Sequence, residues 1–181
     1  MEAFIAILRG INVSGQKKIL MADLKELFEE LQFLEVQTYI QSGNVVFKSP
    51  QKISEEKLAA TIEKALLKRY DFEVPVITRT RDALRKIILS NPFAKEKDMD
   101  LKKLHVTFLS EAPAKEKIKA VNKSASAADR FLIGSREIYL HTPGGYGNTK
   151  LSNTFFEKKL QVTATTRNWN TVITLAEMAS Q

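Results

Sequence analysis

The sequence predicts an α+β fold: a tandem duplication of a ferredoxin-like βαββαβ unit, each copy followed by an extra helix, with antiparallel sheets and helices on one face. Three observations predict it. The apolar run Phe4 to Leu8 has a counterpart a hundred residues on in Leu104 to Leu109. The order of strand-like and helix-like segments repeats after each run. Setting Arg79 on Arg167 pairs Val74 with Val162, Thr78 with Thr166 and Leu84 with Val172 without a gap. The halves are expected at 1–92 and 104–181, joined by a polar linker at 93–103.

Each element has its own signal. Phe4 to Leu8 is short, fully apolar and contains β-branched Ile5 and Ile7, as in a strand buried on both faces. A loop rich in glycine and polar groups follows. Met21 to Leu31 reads as a helix, since Leu24, Leu27, Phe28 and Leu31 recur at helical spacing. EVQTYIQSGNVVFKS reads as two strands turning at Ser42-Gly43. Pro50 breaks the chain, and Ile53 to Tyr70 forms a long helix with Glu55 and Glu56 first and Lys68 and Arg69 last, matching the helix dipole. Val74 to Thr78 is a strand. Thr80 caps a helix over Arg81 to Leu89, stopped at Asn91-Pro92.

In the second half, Leu104 to Leu109 is a strand and Pro113 to Val121 a helix opened by proline. RFLI and REIYLH form a hairpin around Gly134-Ser135. TPGGYGNTK is a loop, Leu151 to Leu160 a helix, VTAT a strand and Asn168 to Ala179 the last helix. Trp169 shares helical spacing with Val172, Ile173 and Ala176 and is expected in the core.

This order predicts strands arranged 4-1-3-2 in each half. The loop after the first strand and the hairpin between the second and third then share one end of the sheet. That end gathers Arg9, Asn12, Lys17 and Lys18 with Gln41, Ser42 and Asn44. At the opposite end, the second half gathers Lys150 with Arg167 and Asn168. These ten residues are the candidate ligand-binding set. The lysines and arginines would supply charge, and the asparagines and Gln41 directed hydrogen bonds.

Composition narrows the chemistry. The 181 residues are 44% hydrophobic and 27% charged, ordinary for a globular protein. No apolar run is long enough for a membrane span, and the N-terminus does not resemble a secretory signal. Cysteine is absent, which excludes disulfides and thiolate chemistry and is compatible with a reducing cytoplasm. A net charge of +7 favours anionic partners.

Specific motifs are weak. Gly10 to Lys17 approaches the phosphate-loop pattern but has Gln16 in place of the lysine and Lys18 in place of the magnesium ligand. The GGYG segment resembles a glycine-rich turn that could approach an anion. His105 and His141 lack neighbours at metal-ligand spacing, so neither a metal nor a cofactor is expected. No nucleophile elbow or carboxylate pair is evident. An RNA-recognition module would need exposed aromatics on its first and third strands. Here the apolar first strand implies a covered face, which the other half would supply.

Several blocks, LRGINV with KKILMADL, TYIQSGNVVF, the RT…NPF segment, KLSNTFFEKKL and TTRNWNTVITLAE, together resemble the bacterial family of uncharacterised proteins known as domain of unknown function 1697. The resemblance runs from Phe4 to Glu177 and implies a bacterial, cytoplasmic protein. Its blocks include Arg9, Gly10, Asn12, Gln41, Ser42, Gly43, Asn44, Arg167, Asn168 and Trp169. It carries no activity. Two functions therefore stand: a non-catalytic binding protein for nucleic acid or a phosphorylated ligand, or an enzyme acting on a small polar or phosphorylated molecule in a cleft between the halves.

Overall fold

A computed structural model describes residues 1–122 and 128–181. Its contacts divide the chain into two units, Met1–Arg85 with Thr174–Gln181, and Lys86–Ile173.

The first unit runs β1 (Glu2–Leu8), α1 (Met21–Glu30), β2 (Leu34–Tyr39), β3 (Asn44–Ser49), α2 (Glu55–Tyr70) and β4 (Val76–Thr80), and leads into α3 (Arg81–Ser90). The sheet order is β2-β3-β1-β4. Both neighbours of β1 are antiparallel, with Ile5 opposite Val46 on one side and Arg79 on the other. Phe4, Ala6 and Leu8 join the helix-covered core with Leu24 and Phe28 of α1 and Leu58, Ile62 and Leu66 of α2. Phe47 of β3 packs edge-on against Phe28 at 5.2 Å and beside Phe33 at 4.6 Å, a geometry aromatic rings favour. Ile5 and Ile7 alternate to the other face and are equally buried, so the expected double burial of β1 holds.

The helices obey their local chemistry. The Ser54 hydroxyl accepts the Lys57 N–H at the start of α2, and Asp71 closes it in the left-handed region at φ 58°. The Thr80 hydroxyl accepts the Ala83 N–H, capping α3 as expected.

The second unit repeats the order with β5 (Leu104–Leu109), α4 (Lys115–Asn122), β6 (Arg130–Ile133), β7 (Glu137–His141), α5 (Asn153–Leu160) and β8 (Ala164–Asn168), and leads into α6 (Trp169–Met178). Its sheet order, β6-β7-β5-β8, is the same arrangement. Its core joins Leu109, Ile138 and Leu140 from the sheet with Val121, Phe156 and Leu160 from the helices. Trp169 is buried. Among the described residues, two matching four-stranded antiparallel sheets and six α-helices are consistent with the duplicated ferredoxin-like arrangement.

One local expectation shifts. The fourth strand of each half lies about two residues beyond its apolar signal, at Val76–Thr80 and Ala164–Asn168. Val74 is buried in the core but precedes the ladder, which pairs Leu8 with Val76 and Phe4 with Thr80. Apolarity there marks core contact rather than strand pairing.

Candidate functional site

At one end of the first sheet, three chain segments converge. The Leu8 N–H donates to the Gly43 carbonyl at 2.8 Å and the Arg9 N–H to the Pro75 carbonyl at 2.9 Å. The loop that follows bends sharply. Gly10, Asn12, Ser14, Gly15 and Lys17 all have positive φ. Three of these are not glycine, and a left-handed conformation costs such residues about 1–2 kcal/mol each. The loop therefore needs outside support.

Asn12 gives it. Its Nδ2 donates to the Ile19 and Gln41 carbonyls, each at 2.9 Å, and its Oδ1 accepts the Ile19 N–H at 2.9 Å. One side chain thus ties the loop to the start of α1 and to the β2–β3 hairpin. Asn44 performs a similar task in the hairpin. It is fully buried, and its Nδ2 donates to the Tyr39 carbonyl at 2.9 Å and the Ser42 hydroxyl at 3.0 Å. The Asn12 and Asn44 side chains read as ligand donors from the sequence are engaged as scaffold.

The charged groups behave differently from one another. Lys17 is half-buried, donates from Nζ to the Glu73 carbonyl and lies 6.0 Å from the centre of the Phe72 ring. Lys18 and Gln41 are exposed, while Arg9 and Ser42 are half-buried. All seven first-unit candidates meet at this rim. The loop does not end on a helix N-terminus: α1 begins at Met21, and its N-cap Leu20 makes no side-chain capping bond. The phosphate-loop arrangement is absent from this segment.

In the second unit, the loop 142–150 and the end of β8 share one end of the sheet, since Leu104 faces His141 and His105 faces Asn168. Lys150 is exposed there. Asn168 accepts the Thr171 N–H at 2.8 Å through Oδ1, as a cap of α6. Arg167 lies on the opposite face of β8 and is 8% exposed, with Nη1 donating to the Thr166 carbonyl at 2.9 Å. Arg167, a candidate ligand-binding residue in the sequence, is thus buried in the structure. The GGYG turn is held by Gly145 N–H to the Thr142 carbonyl and Asn148 Nδ2 to the Gly144 carbonyl, both 2.9 Å.

Two further features have little signal in sequence. Arg79, the partner of Arg167 in the gapless alignment, is 2% exposed, donates to the Thr78 carbonyl at 2.7 Å and lies 3.9 Å from the Glu55 carboxylate. His105 stacks on Tyr146 at 4.9 Å, and its buried Nδ1 has no hydrogen-bond partner. Burial pushes its imidazole below the ordinary histidine range, against the Lys103 backbone, which favours the charged form. Among the described residues, no three His, Asp or Glu side chains are grouped to hold a metal ion, and no helix is long and apolar enough to cross a membrane.

A family profile described as protein of unknown function (DUF1697) matches residues 1–139, most of the chain. The chain belongs to that family. The C-terminal blocks KLSNTFFEKKL and TTRNWN fall beyond the segment matched by the DUF1697 profile. Among solved structures, a conserved bacterial protein from Streptococcus pneumoniae is similar with a TM-score of 0.77 and 22% identity, over 98% of each chain. At that identity the likeness speaks to the fold that this DUF1697 chain adopts. A comparison with curated proteins finds no match.

Proposed function

We propose that the chain is a non-catalytic binding protein for an anionic partner, engaged through the loop 9–18 and the adjoining hairpin tip at Gln41 and Ser42. The observation that carries this reading is the cost of that loop. Asn12, Ser14 and Lys17 are held in a left-handed backbone, and the Asn12 side chain bonds the Ile19 and Gln41 backbone to keep it so. Backbone strain of this kind is typical of ligand-binding segments.

The charge at this rim supports an anion. Arg9, Lys17 and Lys18 lie within ten residues of one another, and Lys18 is exposed. A compact phosphorylated molecule suits the site better than a base-stacking nucleic acid. The sheet face used for base stacking in RNA-recognition modules needs exposed aromatics. Here Ile5, Ile7 and Val46 stand on it, and all three are buried.

Thermal denaturation with inorganic phosphate, nucleotides, sugar phosphates and single-stranded oligonucleotides tests the reading. A compound present at a hundred times its Kd adds about 2.7 kcal/mol of stability. Stabilisation by a phosphorylated small molecule, lost in the Lys17→Gln/Lys18→Gln variant, is expected. No stabilisation by any of these probes at low salt would overturn it, as would stabilisation untouched by the two substitutions.

A further inference from the structure

In the second unit, two neighbouring residues at the start of β6 hold both ends of the loop 142–150. At its start, His141 ends β7, and its Nδ1 accepts the Arg130 Nε–H at 3.2 Å and an Nη2–H at 3.1 Å. At its far end, the Thr149 hydroxyl donates to the Asp129 carboxylate. Between these anchors Gly145 bonds Thr142 and Asn148 bonds Gly144, both within the turn. A Cβ at Gly144, Gly145 or Gly147 would meet nothing within 4 Å, so the turn has room to move. It carries Tyr146, which stacks on the buried His105 ring.

Arg130 is itself fixed in place. Its Nη1 and Nη2 fork onto the two Glu96 oxygens at 3.0 and 2.8 Å, and its Cζ lies 4.8 Å from the centre of the Phe93 ring. A two-point fork backed by an aromatic ring leaves the guanidinium little freedom to turn. A guanidinium has only donors, so the Nδ1 it meets must carry a lone pair. His141 is therefore the neutral Nε2–H tautomer. Burial and then the Arg130 charge favour that neutral form, against Glu96, Asp129 and Asp100, the acidic groups that face the ring. Each carboxylate is already engaged: Glu96 by Arg130, Asp129 by Thr149, and Asp100 by the Lys102 N–H at 3.0 Å.

We infer that the Arg130–His141 contact is a pH-sensitive clasp, which protonation of His141 breaks, loosening the loop 142–150. A proton on Nδ1 sets donor against donor and cation against cation. The Glu96 carboxyl, held below the usual range by its Arg130 hydrogen bond, stays ionised where the imidazole titrates, so the fork keeps Arg130 where it is. The repulsion falls on the last residue of β7, directly before Thr142. The strand is paired on both sides, by β5 and β6, and the turn has no such ladder. The turn is therefore the part that gives way. This device lies in the second unit and does not depend on the function proposed for the loop 9–18.

Hydrogen exchange on the full chain tests it, with rates corrected for their intrinsic dependence on pH. Between pH values of about 7.5 and about 5, which span the ordinary histidine range, amides of residues 144–148 should lose protection about tenfold, the size of one hydrogen bond to a charged group. Amides along β5 should keep theirs. The His141→Asn variant retains an acceptor for Arg130 without the titration and should show no such loss. An unchanged melting temperature at the higher pH verifies its fold. In the parent, nitrogen NMR of the imidazole at that pH should show the Nε2–H tautomer. No loss of protection in the turn, an equal loss in His141→Asn, a loss shared by β5, or an Nδ1–H tautomer would each overturn the inference.

Discussion

The Asn12 side chain donates to the Gln41 backbone carbonyl across 2.9 Å, joining two segments twenty-nine residues apart in the chain. The same side chain closes a two-way bond with Ile19. One amide group therefore ties the loop both to the start of α1 and to the β2–β3 hairpin. Both N–H donors of the Asn12 amide are taken by backbone carbonyls, so it has no donor left for an anion.

Replacing Asn12 with alanine removes three hydrogen bonds and leaves a less tolerant residue at φ 55°. Each bond contributes about 1 kcal/mol, with part recovered by water at this half-buried site, and the left-handed conformation adds about 1 kcal/mol. Asn12→Ala should cost about 2–3 kcal/mol and lower the melting temperature by about 5–10 °C. Hydrogen exchange should accelerate over residues 10–19 and not along β1. An unchanged exchange pattern in the loop would contradict the scaffold role.

Two glycines should respond differently to alanine. At Gly43, with φ +81°, a Cβ would meet Ile11 Cδ1 at 2.7 Å and Leu8 Cβ at 2.8 Å. Both contacts belong to buried core residues, so the added methyl forces strain as well as a disfavoured backbone. Gly43→Ala should cost about 2–4 kcal/mol. At Gly144 a Cβ meets nothing within 4 Å. Gly144→Ala should lie within about 0.5 kcal/mol of the parent. Denaturant midpoints for the two variants check the contrast.

Strand order and the shared rim are legible in the sequence because hydrophobic period and turn residues determine them. Phe4 to Leu8, the Ser42-Gly43 turn and the two proline breaks suffice to arrange each sheet. The roles of single polar residues are not legible. Asn12 and Asn44 carry the same groups whether they hold a ligand or the backbone, and only the position of the Gln41 and Tyr39 carbonyls decides. Arg79 and Arg167 mislead for another reason. A charged residue is expected outside, yet both stand on the buried face of an edge strand. Their alignment in the two halves was the available signal. It supports the repeat and says nothing of burial.

Those arginines should therefore be structural. Arg79 is almost fully buried beside Glu55, which is itself 11% exposed and accepts the Thr80 N–H at 2.7 Å. Removing one partner of a buried pair leaves the other uncompensated and costs about 3–5 kcal/mol. Arg79→Ala should show a loss of that order in urea denaturation. The Arg79→Lys variant should recover little of it, because an ammonium cannot reproduce the fork that reaches the Thr78 carbonyl. A melting temperature equal to the parent's would refute the assignment.

Stability should fall as pH drops from about 7 to about 5.5, a window set by two histidines. His105 is depressed by burial around a ring whose Nδ1 finds no partner. His141 is depressed first by burial and then by the Arg130 guanidinium, whose Nε donates to its Nδ1 at 3.2 Å. Both rings bind protons less readily when folded than when unfolded. The unfolded chain therefore takes up more protons below its histidine value of about 6.5, and the folded state loses ground there. Glu96 titrates elsewhere. The Arg130 hydrogen bond holds its carboxyl below the usual range, so its contribution persists above the unfolded value and disappears only as pH falls through the lower folded one. The His141→Asn variant keeps an acceptor facing Arg130 without the titration. Its stability should decline less than the parent's between pH values of about 7.5 and 5.5, with the residual decline belonging to His105. Greater stability of the parent at the lower pH would reverse the sign and sink the prediction.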